Sequence, residues 1–438
     1  MGKIAFIGAG SRGFAKQLMM DILTRPALAE GTVSLMDVSQ EYVDITAALA
    51  TKMVKQLNLP TRIEATTDRR RALDGADYVI STIRPTGIDT RTESILIAEK
   101  YGVMQVVGGE TGASAMECAI KYLPRLLEIV RDIEDLCPDA LFLHYSNPTP
   151  ILSWALNKVT PVRSIGMCHS VQGTAEELTH YIGAPIEETG HWVAGVNHQA
   201  WFLRFEWNGE DAYPLLREKM ADAEIYEQDI VRFEMMKHFG YFITESSHHN
   251  SEYVPYFRKN RELIDRYSNK RGRLAGEVQF ATGRDRYVRR KAAQVEELKE
   301  EAFGSAPLAI ERGAEYVSGI FNAIESNEPF RFNGNVINSG LITNLPPGCV
   351  VEVPCLVDNM GVHPCHVGDL PPQCASLNRN RIAGDELMVK GILEEDRQAI
   401  EQAIALDPLA AAVCTLDQIH ELTEELFSVL GPEFELFK

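Results

Sequence analysis

The first 37 residues constrain the fold of this chain more than any other stretch. A short apolar run, Ile4-Ala5-Phe6-Ile7, breaks into Gly8-Ala9-Gly10-Ser11-Arg12-Gly13, and an amphipathic segment follows. A second apolar run then ends on Asp37. Glycines at this spacing let a strand turn tightly into a helix and bring bare backbone close to a pyrophosphate, which the helix N-terminus favours electrostatically. The stretch therefore predicts a dinucleotide site made by Gly8, Gly10, Ser11, Gly13 and Asp37.

Asp37 also indicates which dinucleotide binds. It lies about where an acidic residue that hydrogen-bonds an adenosine ribose is expected after the second strand. Its negative charge would repel the 2′-phosphate of NADP. We therefore expect NAD as the cofactor.

Composition restricts the partners and the compartment. A net charge of −19 argues against nucleic acid and anionic membrane surfaces. No stretch approaches the roughly 18 consecutive apolar residues that span a bilayer, and we expect no secretory signal. Eight cysteines without regular spacing do not resemble a disulfide framework. We expect a protein of the reducing cytoplasm, in which a thiolate can serve as a metal ligand.

Helix and strand patterns alternate after Asp37, which predicts a parallel sheet covered on both faces. The predicted fold class is α/β, with an N-terminal Rossmann-like doubly wound sheet (residues 1–190) and a C-terminal α+β lobe for substrate binding and oligomerisation (residues 191–438). The change of period near Trp192 marks the boundary. Residues 106–114 are predicted to form a loop near the ligand because they are rich in glycine and small side chains. The charged region 258–301 is interpreted as a solvated helical face or mobile segment rather than a binding patch.

Polar residues follow several predicted strands, where ligands gather in such sheets. Arg84, Asn147, Cys168 and His169 all occupy such positions. A thiolate from Cys168 and an imidazole from His198 would suit a borderline or transition metal. Their spacing alone, however, favours a buried cysteine and a hydrogen-bonded core histidine.

Three further residues admit two interpretations each. Asn147 precedes a proline and fits either a cap of the next helix or a ligand contact. Glu110 lies in the glycine-rich loop and fits either a contact to a substrate hydroxyl or simple exposure. Tyr253 lies in a polar loop where a tyrosine is commonly structural. Its phenol has an ordinary pKa of about 10, so a role as a base would require a nearby cation or metal.

Longer motifs occur along nearly the whole chain: Gly8-Ala9-Gly10-Ser11, Asn147-Pro148, Gly166-Met167-Cys168-His169-Ser170-Val171-Gln172-Gly173-Thr174, Gly195-Val196-Asn197-His198-Gln199-Ala200-Trp201, Gly240-Tyr241-Phe242-Ile243-Thr244-Glu245-Ser246-Ser247, Glu252-Tyr253 and Asn344-Leu345-Pro346-Pro347-Gly348-Cys349-Val350-Val351-Glu352-Val353. Together they resemble the NAD- and manganese-dependent glycosidases of glycoside hydrolase family 4. The segment that begins at Cys168 is most similar to the α-galactosidase (melibiase) branch. The resemblance also implies a fold similar to lactate and malate dehydrogenases and assembly into homodimers or homotetramers.

The resemblance implies a mechanism unlike the usual pair of glycosidase carboxylates. NAD would take a hydride from C3 of the sugar, and Mn²⁺ held by Cys168 and His198 would polarise the resulting ketone. Tyr253 would remove the C2 proton, the glycosidic oxygen would leave by elimination, water would add at C1 and the hydride would return to C3. Asn147 matches the family's substrate-contacting asparagine, and His169 is a candidate by position for the acid that protonates the leaving oxygen.

One segment departs from the branch and keeps other substrates open. Where such α-galactosidases usually carry Asp-Thr and a Gly-Pro-Gly-Gly loop, this chain has Gly109-Glu110-Thr111-Gly112-Ala113-Ser114. Glu110 resembles the loop glutamate of other branches and Arg84 could face a substrate carboxylate, so an α-glucuronidase or α-galacturonidase remains an alternative. A 2-hydroxy acid dehydrogenase is another, although its Asp-x-x-Arg pattern is not apparent. An NAD-binding regulator without turnover is a third alternative, but it does not explain why Cys168 and Tyr253 occur together.

Overall fold

Parallel strands build the N-terminal half. The computed structural model describes residues 2–11, 13–85, 89–267 and 292–429. The strands are β1 (Lys3–Ile7), β2 (Thr32–Met36), β3 (Arg62–Thr66), β4 (Tyr78–Ser81), β5 (Leu141–His144) and β6 (Ser164–Gly166). They lie in the order β3-β2-β1-β4-β5-β6, and each neighbouring pair is parallel. This is the strand order of a Rossmann fold. In that fold strands are added to one side of β1 and then, from β4 onward, to the other side, and this switch leaves a crevice beside β1.

Helices cover both faces of these strands. They are α1 (Gly13–Leu23), a 3₁₀ turn (Pro26–Leu28), α2 (Gln40–Gln56), α3 (Arg69–Leu73), α4 (Asp89–Lys100), α5 (Gly112–Leu136), α6 (Thr149–Val159) and α7 (Ser170–Ile182). Because both faces are covered, the inner strands are nearly continuous apolar runs, whereas the edge strand β3 is polar and partly exposed. Ile4, Phe6 and Val79 are fully buried in the main core. Ser39 begins α2 by accepting a hydrogen bond from the Tyr42 amide, as a helix cap requires.

The sheet continues into the C-terminal half with antiparallel strands. These are β7 (Thr189–Val196), β8 (Gln199–Trp207), β9 (Glu210–Asp211), β10 (Phe330–Ile337), β11 (Val350–Asp358) and β12 (Gly361–Pro364). After β6 the order is β10-β11-β7-β8-β9, with β12 paired to β11. The junction is an antiparallel pairing of Asn335 in β10 with Gly166 in β6. The sheet therefore runs through both predicted domains, and the boundary at residue 190 stays a prediction.

The remaining helices surround this extension. They are a 3₁₀ turn (Ile186–Glu188), α8 (Tyr213–Lys219), α9 (Ala223–Gln228), α10 (Ile230–Phe239), α11 (Ser247–Asn250), α12 (Arg261–Tyr267), α13 (292–303), α14 (Tyr316–Ser326), α15 (Pro372–Glu394), α16 (Arg397–Ala405), α17 (Pro408–Val413) and α18 (Leu416–Val429). Within the described ranges, no helix is both long enough and apolar enough to cross a bilayer.

One helix start differs from the predictions. The loop predicted over residues 106–114 ends at Thr111, and α5 begins at Gly112. The Ser114 hydroxyl accepts from the Gly109 amide at 2.8 Å and donates to the Thr111 carbonyl at 3.3 Å, so a small polar residue closes the first turn. Helix α7 begins at Ser170, two residues after Cys168. In the charged region 258–301, residues 268–291 lie outside the described ranges, and the described flanks include α12 and α13.

Candidate active site

The predicted nucleotide site is a turn that only glycine can form at its first position. Gly8 has φ +87°, and a Cβ there would lie 2.9 Å from the backbone nitrogen of Ile83. Gly10 is confined from the other side, since its Cβ would lie 2.6 Å from Oδ2 of Asp37. The Gly10 amide donates to that same oxygen at 2.8 Å. The structure therefore packs Gly10 directly against the predicted acid and Gly8 against the backbone that follows β4.

Ser11 and Gly13 complete the turn. The Thr82 hydroxyl donates to the Gly8 carbonyl at 2.8 Å and lies 3.1 Å from the Ser11 hydroxyl, within hydrogen-bond distance, which ties the turn to the end of β4. Gly13 opens the eleven-residue helix α1, whose N-terminus favours a phosphate. Asp37 also accepts from the Ser39 amide at 3.0 Å. A carboxylate has about four acceptor positions, so a ribose hydroxyl can still donate to it.

His198 lies in the tight turn between β7 and β8. Val196 and Gln199 are paired across the hairpin, so Asn197 and His198 form a two-residue turn. His198 has φ +62°, in a position that glycine usually occupies in such hairpins. A bulky residue in this conformation costs of order 1 kcal/mol or more and is concentrated at functional sites. The unusual backbone conformation of His198 thus indicates that the position of its imidazole has a function.

The two nitrogens of the His198 ring contact two different predicted residues. Cys168, two residues beyond β6, has its Sγ 3.2 Å from Nε2. The phenol oxygen of Tyr253 lies 3.2 Å from Nδ1. Oε1 of Glu110 lies 3.7 Å from that same Nδ1. All four side chains are buried, so the predicted metal pair, the predicted base and one predicted substrate residue meet at a single imidazole.

Two residues that the sequence analysis did not single out lie beside this imidazole. Oε2 of Glu245 is 3.5 Å from His198 Nε2, and its Oε1 is 3.4 Å from Nδ1 of His249. Candidate ligand atoms of all three residues lie within 4.8 Å of one another. The four-residue spacing of Glu245 and His249, in a polar run, is the signal that could have revealed them.

Charges of opposite sign shape the electrostatics of the cluster. Burial acts to lower the pKa of His198, but Cys168 and the nearby carboxylates outweigh it and hold that pKa well above its ordinary value. Burial acts to raise the pKa of Glu245, and His198 and His249 outweigh it and lower that pKa. Burial and the charge of Glu110 raise the pKa of Tyr253 well above its ordinary value. In the protein alone, therefore, Tyr253 is a neutral phenol.

Arg381 in α15 was also not predicted. Its guanidinium lies 5.4 Å from the centre of the Tyr253 ring and pairs with Asp385 at 2.8 Å. It also donates to the backbone carbonyl of Glu110 at 2.5 Å. Its positive charge acts to lower the pKa of Tyr253. Arg381 thus fixes the loop that carries Glu110 and partly opposes the surrounding carboxylates.

Glu352 in β11 adds a further buried carboxylate. It is fully buried, and among the described residues neither of its oxygens makes a hydrogen bond of good geometry, although the Asn197 side chain lies close enough to act to lower its pKa. Burial raises its pKa to about 7, and the positive charge of His198 acts in the opposite direction. Its neighbour across the sheet is Gly195, in the strand that leads to His198. Such a group is rare in a folded protein and indicates a functional region.

Glu252 holds the glycine-rich loop in place. Its carboxylate accepts hydrogen bonds from the amides of Val106 and Val107, both at 2.6 Å, and of Gly108 at 3.1 Å. Because Glu252 directly precedes Tyr253, the same segment carries the phenol and anchors the loop that bears Glu110.

The other predicted site residues lie at strand ends but are exposed. The His169 side chain is 67 % exposed, with Nδ1 3.6 Å from Oε1 of Glu315. Asn147 accepts from the Thr149 hydroxyl at 2.5 Å, while Pro148 occupies the cap position of α6. Arg84 is exposed just beyond β4. Their predicted roles as acid and substrate contacts stay predictions.

The cluster fits a divalent cation. Glu110 Oε2 and His249 Nε2 are buried without a hydrogen-bond partner among the described residues, as are both oxygens of Glu352. A thiolate, an imidazole and several carboxylates around one point carry excess negative charge, which a metal would compensate.

Comparison with known proteins identifies the family. The model of the family 4 glycosyl hydrolases matches residues 3–184, and the model of their C-terminal domain matches residues 193–410. The chain belongs to glycoside hydrolase family 4. This membership supports the glycosidase prediction over a 2-hydroxy acid dehydrogenase and over a regulator without turnover.

Two curated relatives are α-galactosidases. The one from Bacillus subtilis (strain 168) is 36% identical over 99% of this chain and 100% of the relative. The one from Rhizobium meliloti (strain 1021) is 33% identical over 97% of this chain and 87% of the relative.

Solved structures confirm the predicted fold class. The lplD protein of Bacillus subtilis superposes with a TM-score of 0.84 at 25% identity, covering 97% of this chain and 100% of the other. A 6-phospho-α-glucosidase from gut microorganisms, solved in complex with NAD and Mn²⁺, gives 0.80 at 20% identity over 98% and 97%. Malate dehydrogenase from Plasmodium falciparum gives 0.54 at 16% identity over 91% and 100%, in line with the predicted similarity to that fold.

Proposed function

We propose that this family 4 glycosidase hydrolyses unphosphorylated α-galactosides with NAD and Mn²⁺ as cofactors. The observation that carries the proposal is the shared imidazole of His198, which contacts the Cys168 thiol through one nitrogen and the Tyr253 phenol through the other, both at 3.2 Å. The proposed metal ligands and the proposed base would thereby be held side by side. The similarity to two α-galactosidases supports the choice of sugar.

The cofactors would be held by separate parts of the sheet. When bound, NAD would take up a hydride from sugar C3 and later return it, and Mn²⁺ would act as a Lewis acid beside that carbon. Gly8 and Gly10 would bring backbone to the pyrophosphate, and Asp37 would accept from a ribose hydroxyl. Cys168 and His198 would supply the sulfur and nitrogen ligands of the metal.

Tyr253 would remove the proton from C2 of the sugar. Its pKa in the protein alone is too high for this task, because burial and carboxylates favour the neutral phenol. Positive charge lowers the pKa of a phenol. Arg381 already acts in this direction, and a divalent cation on the neighbouring imidazole would add to it. Proton removal by Tyr253 would therefore depend on a filled metal site.

His169 would protonate the leaving oxygen. It follows Cys168 directly, and its side chain is accessible to substrate at 67 % exposure. Glu315 lies 3.6 Å from its Nδ1 and in turn accepts a hydrogen bond from Tyr145 at 3.0 Å. This pairing would orient the ring.

The charge around the site favours a neutral sugar. Glu110, Glu245 and Glu352 are carboxylates in or beside the cluster. They would repel the carboxylate of a uronide or the phosphate of a sugar phosphate. We therefore rank the α-glucuronidase and α-galacturonidase alternatives below the α-galactosidase.

A substrate panel tests the proposal. Purified protein is assayed with p-nitrophenyl α-galactoside, α-glucoside, α-glucuronide and α-galacturonide, with and without NAD, Mn²⁺ and reductant. We expect cleavage of the galactoside only under full supplementation. Absence of cleavage of every α-glycoside under those conditions would refute it. Turnover in deuterated water should place deuterium at C2, and complete retention of hydrogen there would exclude the elimination.

Location and assembly follow as part of the same proposal. All eight cysteines fall in described ranges and none forms a disulfide, which is consistent with a reducing cytoplasm. We infer a homodimer or homotetramer, with a small-molecule glycoside rather than nucleic acid or membrane as the partner. Light scattering of the purified protein measures the assembly, and a monomer would contradict it.

A further inference from the structure

We propose that Glu245 is a third protein ligand of the metal held by Cys168 and His198, and that His249 positions it. The inference rests on the use of Mn²⁺ in the proposed function, and it concerns the composition of the coordination sphere. It would explain why a chain with a thiolate and an imidazole in place selects manganese.

The distances around His198 Nε2 fit one metal ion. Cys168 Sγ lies 3.2 Å from this nitrogen, and Oε2 of Glu245 lies 3.5 Å from it. Ligand atoms about 2.0 to 2.3 Å from a common metal, at angles near 90° to 110°, are separated by roughly 3 to 3.7 Å. Both pairs have this separation. Each of the two side chains alone could therefore share an ion with Nε2. Cys168 lies outside the group of ligand atoms that are within 4.8 Å of one another, so the sulfur and the carboxylate would have to move closer together to hold the same ion.

His249 has the environment of a residue that supports a ligand. Its Nδ1 faces the other carboxylate oxygen of Glu245 at 3.4 Å, and its ring lies 5.1 Å from that of His198. Ligating carboxylates are commonly held by such a partner, which leaves one oxygen directed at the metal. Oε2 of Glu245 thus remains available on the side of His198.

The backbone of Glu245 supports the assignment independently. Glu245 has φ +72°, a left-handed conformation that glutamate seldom adopts and that costs of order 1 kcal/mol or more. His198, on the other side of the contact, has φ +62°. Two strained residues thus direct their side chains at each other. Such strain persists only where the surroundings impose it, and it is concentrated at ligand sites.

The chemistry of the donors also requires a harder ligand than those predicted from sequence. Thiolate and imidazole suit zinc and other transition metals, whereas carboxylate oxygen suits manganese. Glu110 does not meet this need equally, because it faces Nδ1, the nitrogen that also contacts Tyr253. Glu245 faces Nε2, the nitrogen that contacts the sulfur. The carboxylate on the metal side of the ring is therefore Glu245.

The test compares two metals rather than activity alone. Dissociation constants for Mn²⁺ and for Zn²⁺ are measured on the full-length protein by competition with a chelating indicator, for wild type, Glu245→Gln and Cys168→Ser. We expect Glu245→Gln to weaken Mn²⁺ binding by about 10- to 100-fold, and Zn²⁺ binding markedly less. Cys168→Ser should change the ratio in the opposite direction, because it removes the soft ligand.

Glu110→Gln is the matched control. It makes the same chemical change beside the same imidazole, but on the other ring nitrogen. Loss of a nearby charge that is not a ligand weakens all divalent ions alike, so the ratio of Mn²⁺ to Zn²⁺ affinity should stay at its wild-type value. NAD binding and the near-ultraviolet circular dichroism spectrum show that each variant is folded. Should Glu245→Gln misfold, Glu245→Asp provides the same test, since it keeps an oxygen ligand but shortens its reach.

The outcomes separate this inference from the proposed function. If Glu245→Gln leaves the ratio at its wild-type value, as Glu110→Gln should, Glu245 is only a neighbouring charge and the inference is overturned. If the ratio shifts as expected but the substrate panel shows no hydrolysis, the ligand assignment stands while the proposed function fails. His249→Gln should produce a smaller shift of the same sign, and a shift as large as that of Glu245→Gln would make His249 a ligand itself.

Discussion

The nucleotide turn and the histidine cluster are built on opposite principles, although they belong to one sheet. The turn uses consecutive residues and their backbone, from the end of β1 through Gly8 and Gly10 to the start of α1, and the Asp37 carboxylate packs against it. The cluster uses side chains that come from four separated segments around His198. It buries several charges with few hydrogen bonds among them.

This difference predicts how each site fails. A site made of backbone tolerates changes of charge. It loses ligand binding when atoms are added, because binding depends on the close approach of the backbone to the ligand. A side-chain cluster tolerates little change of donor, and it couples to pH because its charges are buried. Substitutions in the nucleotide turn should therefore change NAD affinity, and substitutions in the cluster should change Mn²⁺ affinity or turnover. A substitution at one site that changes the measurement belonging to the other site would weaken the comparison.

The largest expected effect is that of Tyr253→Phe. It removes the base without changing the ring that packs near Arg381, so turnover of the α-galactoside should fall by about 10²- to 10⁴-fold, while NAD affinity stays near that of wild type. Deuterium incorporation at C2 should fall in parallel. Tyr256→Phe, at an exposed position in the same loop, is the control. Tyr253→Phe protein with wild-type turnover would assign the proton transfer elsewhere.

Next in size is the pH response of Glu352→Gln. The pKa of Glu352 is raised by burial from 4.5 to about 7. As pH rises from 4.5 to 7, Glu352 loses its proton in the unfolded state before it does so in the folded state. The free energy of unfolding therefore falls progressively over this range, and above pH 7 the destabilisation is complete. At about 1.4 kcal/mol per pH unit, this destabilisation is about 3 to 4 kcal/mol.

Metal-free wild type and Glu352→Gln are compared by thermal unfolding near pH 5 and pH 8. At pH 8 the variant should have a higher free energy of unfolding than wild type. At pH 5 this difference between variant and wild type should be much smaller. Glu210→Gln, at an exposed site in β9, should show no such difference. An equal gain at both pH values would mean that folding does not raise the pKa of Glu352.

Gly8→Ala tests the backbone site. Its Cβ would lie 2.9 Å from the Ile83 nitrogen, and φ is +87°. Overpacking of this kind costs about 1 to 3 kcal/mol, so NAD affinity measured by fluorescence titration should fall by roughly 5- to 100-fold. Mn²⁺ affinity should not change. Gly173→Ala has open space around its Cβ and should bind NAD normally; a similar loss there would make the Gly8 result nonspecific.

The smallest expected effect is that of Asp37→Asn. The amide oxygen can still accept from Gly10, whose amide now contacts Oδ2 at 2.8 Å. Only the charge disappears, and with it the repulsion of a 2′-phosphate. The preference for NAD over NADP should fall by about tenfold, an effect of about 1.4 kcal/mol. An unchanged preference would place cofactor discrimination elsewhere in the site.

The parts of the fold that were predictable are those specified by local pattern. The buried strands of the N-terminal half read as apolar runs because helices cover both faces, and the nucleotide turn carries its chemistry in consecutive residues. The contact between Cys168 and His198 was predicted because long motifs around both residues resemble one family. These elements depend little on how distant segments meet.

The rest of the cluster depends on tertiary contacts that no short window contains. Arg381 reaches Tyr253 and Glu110 from α15, and nothing near it in sequence indicates this. Glu352 stands within an apolar strand, where a single polar residue normally faces solvent. Glu245 is part of a motif that was noted, but its role depends on the left-handed backbone that turns its side chain toward His198.

The pairing of Asn335 with Gly166 bears on how closely the two cofactors can be aligned. Gly166 lies two residues before Cys168, and a Cβ on it would lie 2.5 Å from Cγ2 of Thr149 and 2.6 Å from Oγ of Ser153. The metal-side thiol is therefore carried by a strand pressed between α6 and β10, and no linker separates it from the strands that carry the nucleotide turn. If NAD exchanges a hydride with C3 of the sugar and the metal polarises the ketone formed there, as proposed, the two cofactors need a fixed relative position, and one continuous sheet would provide it.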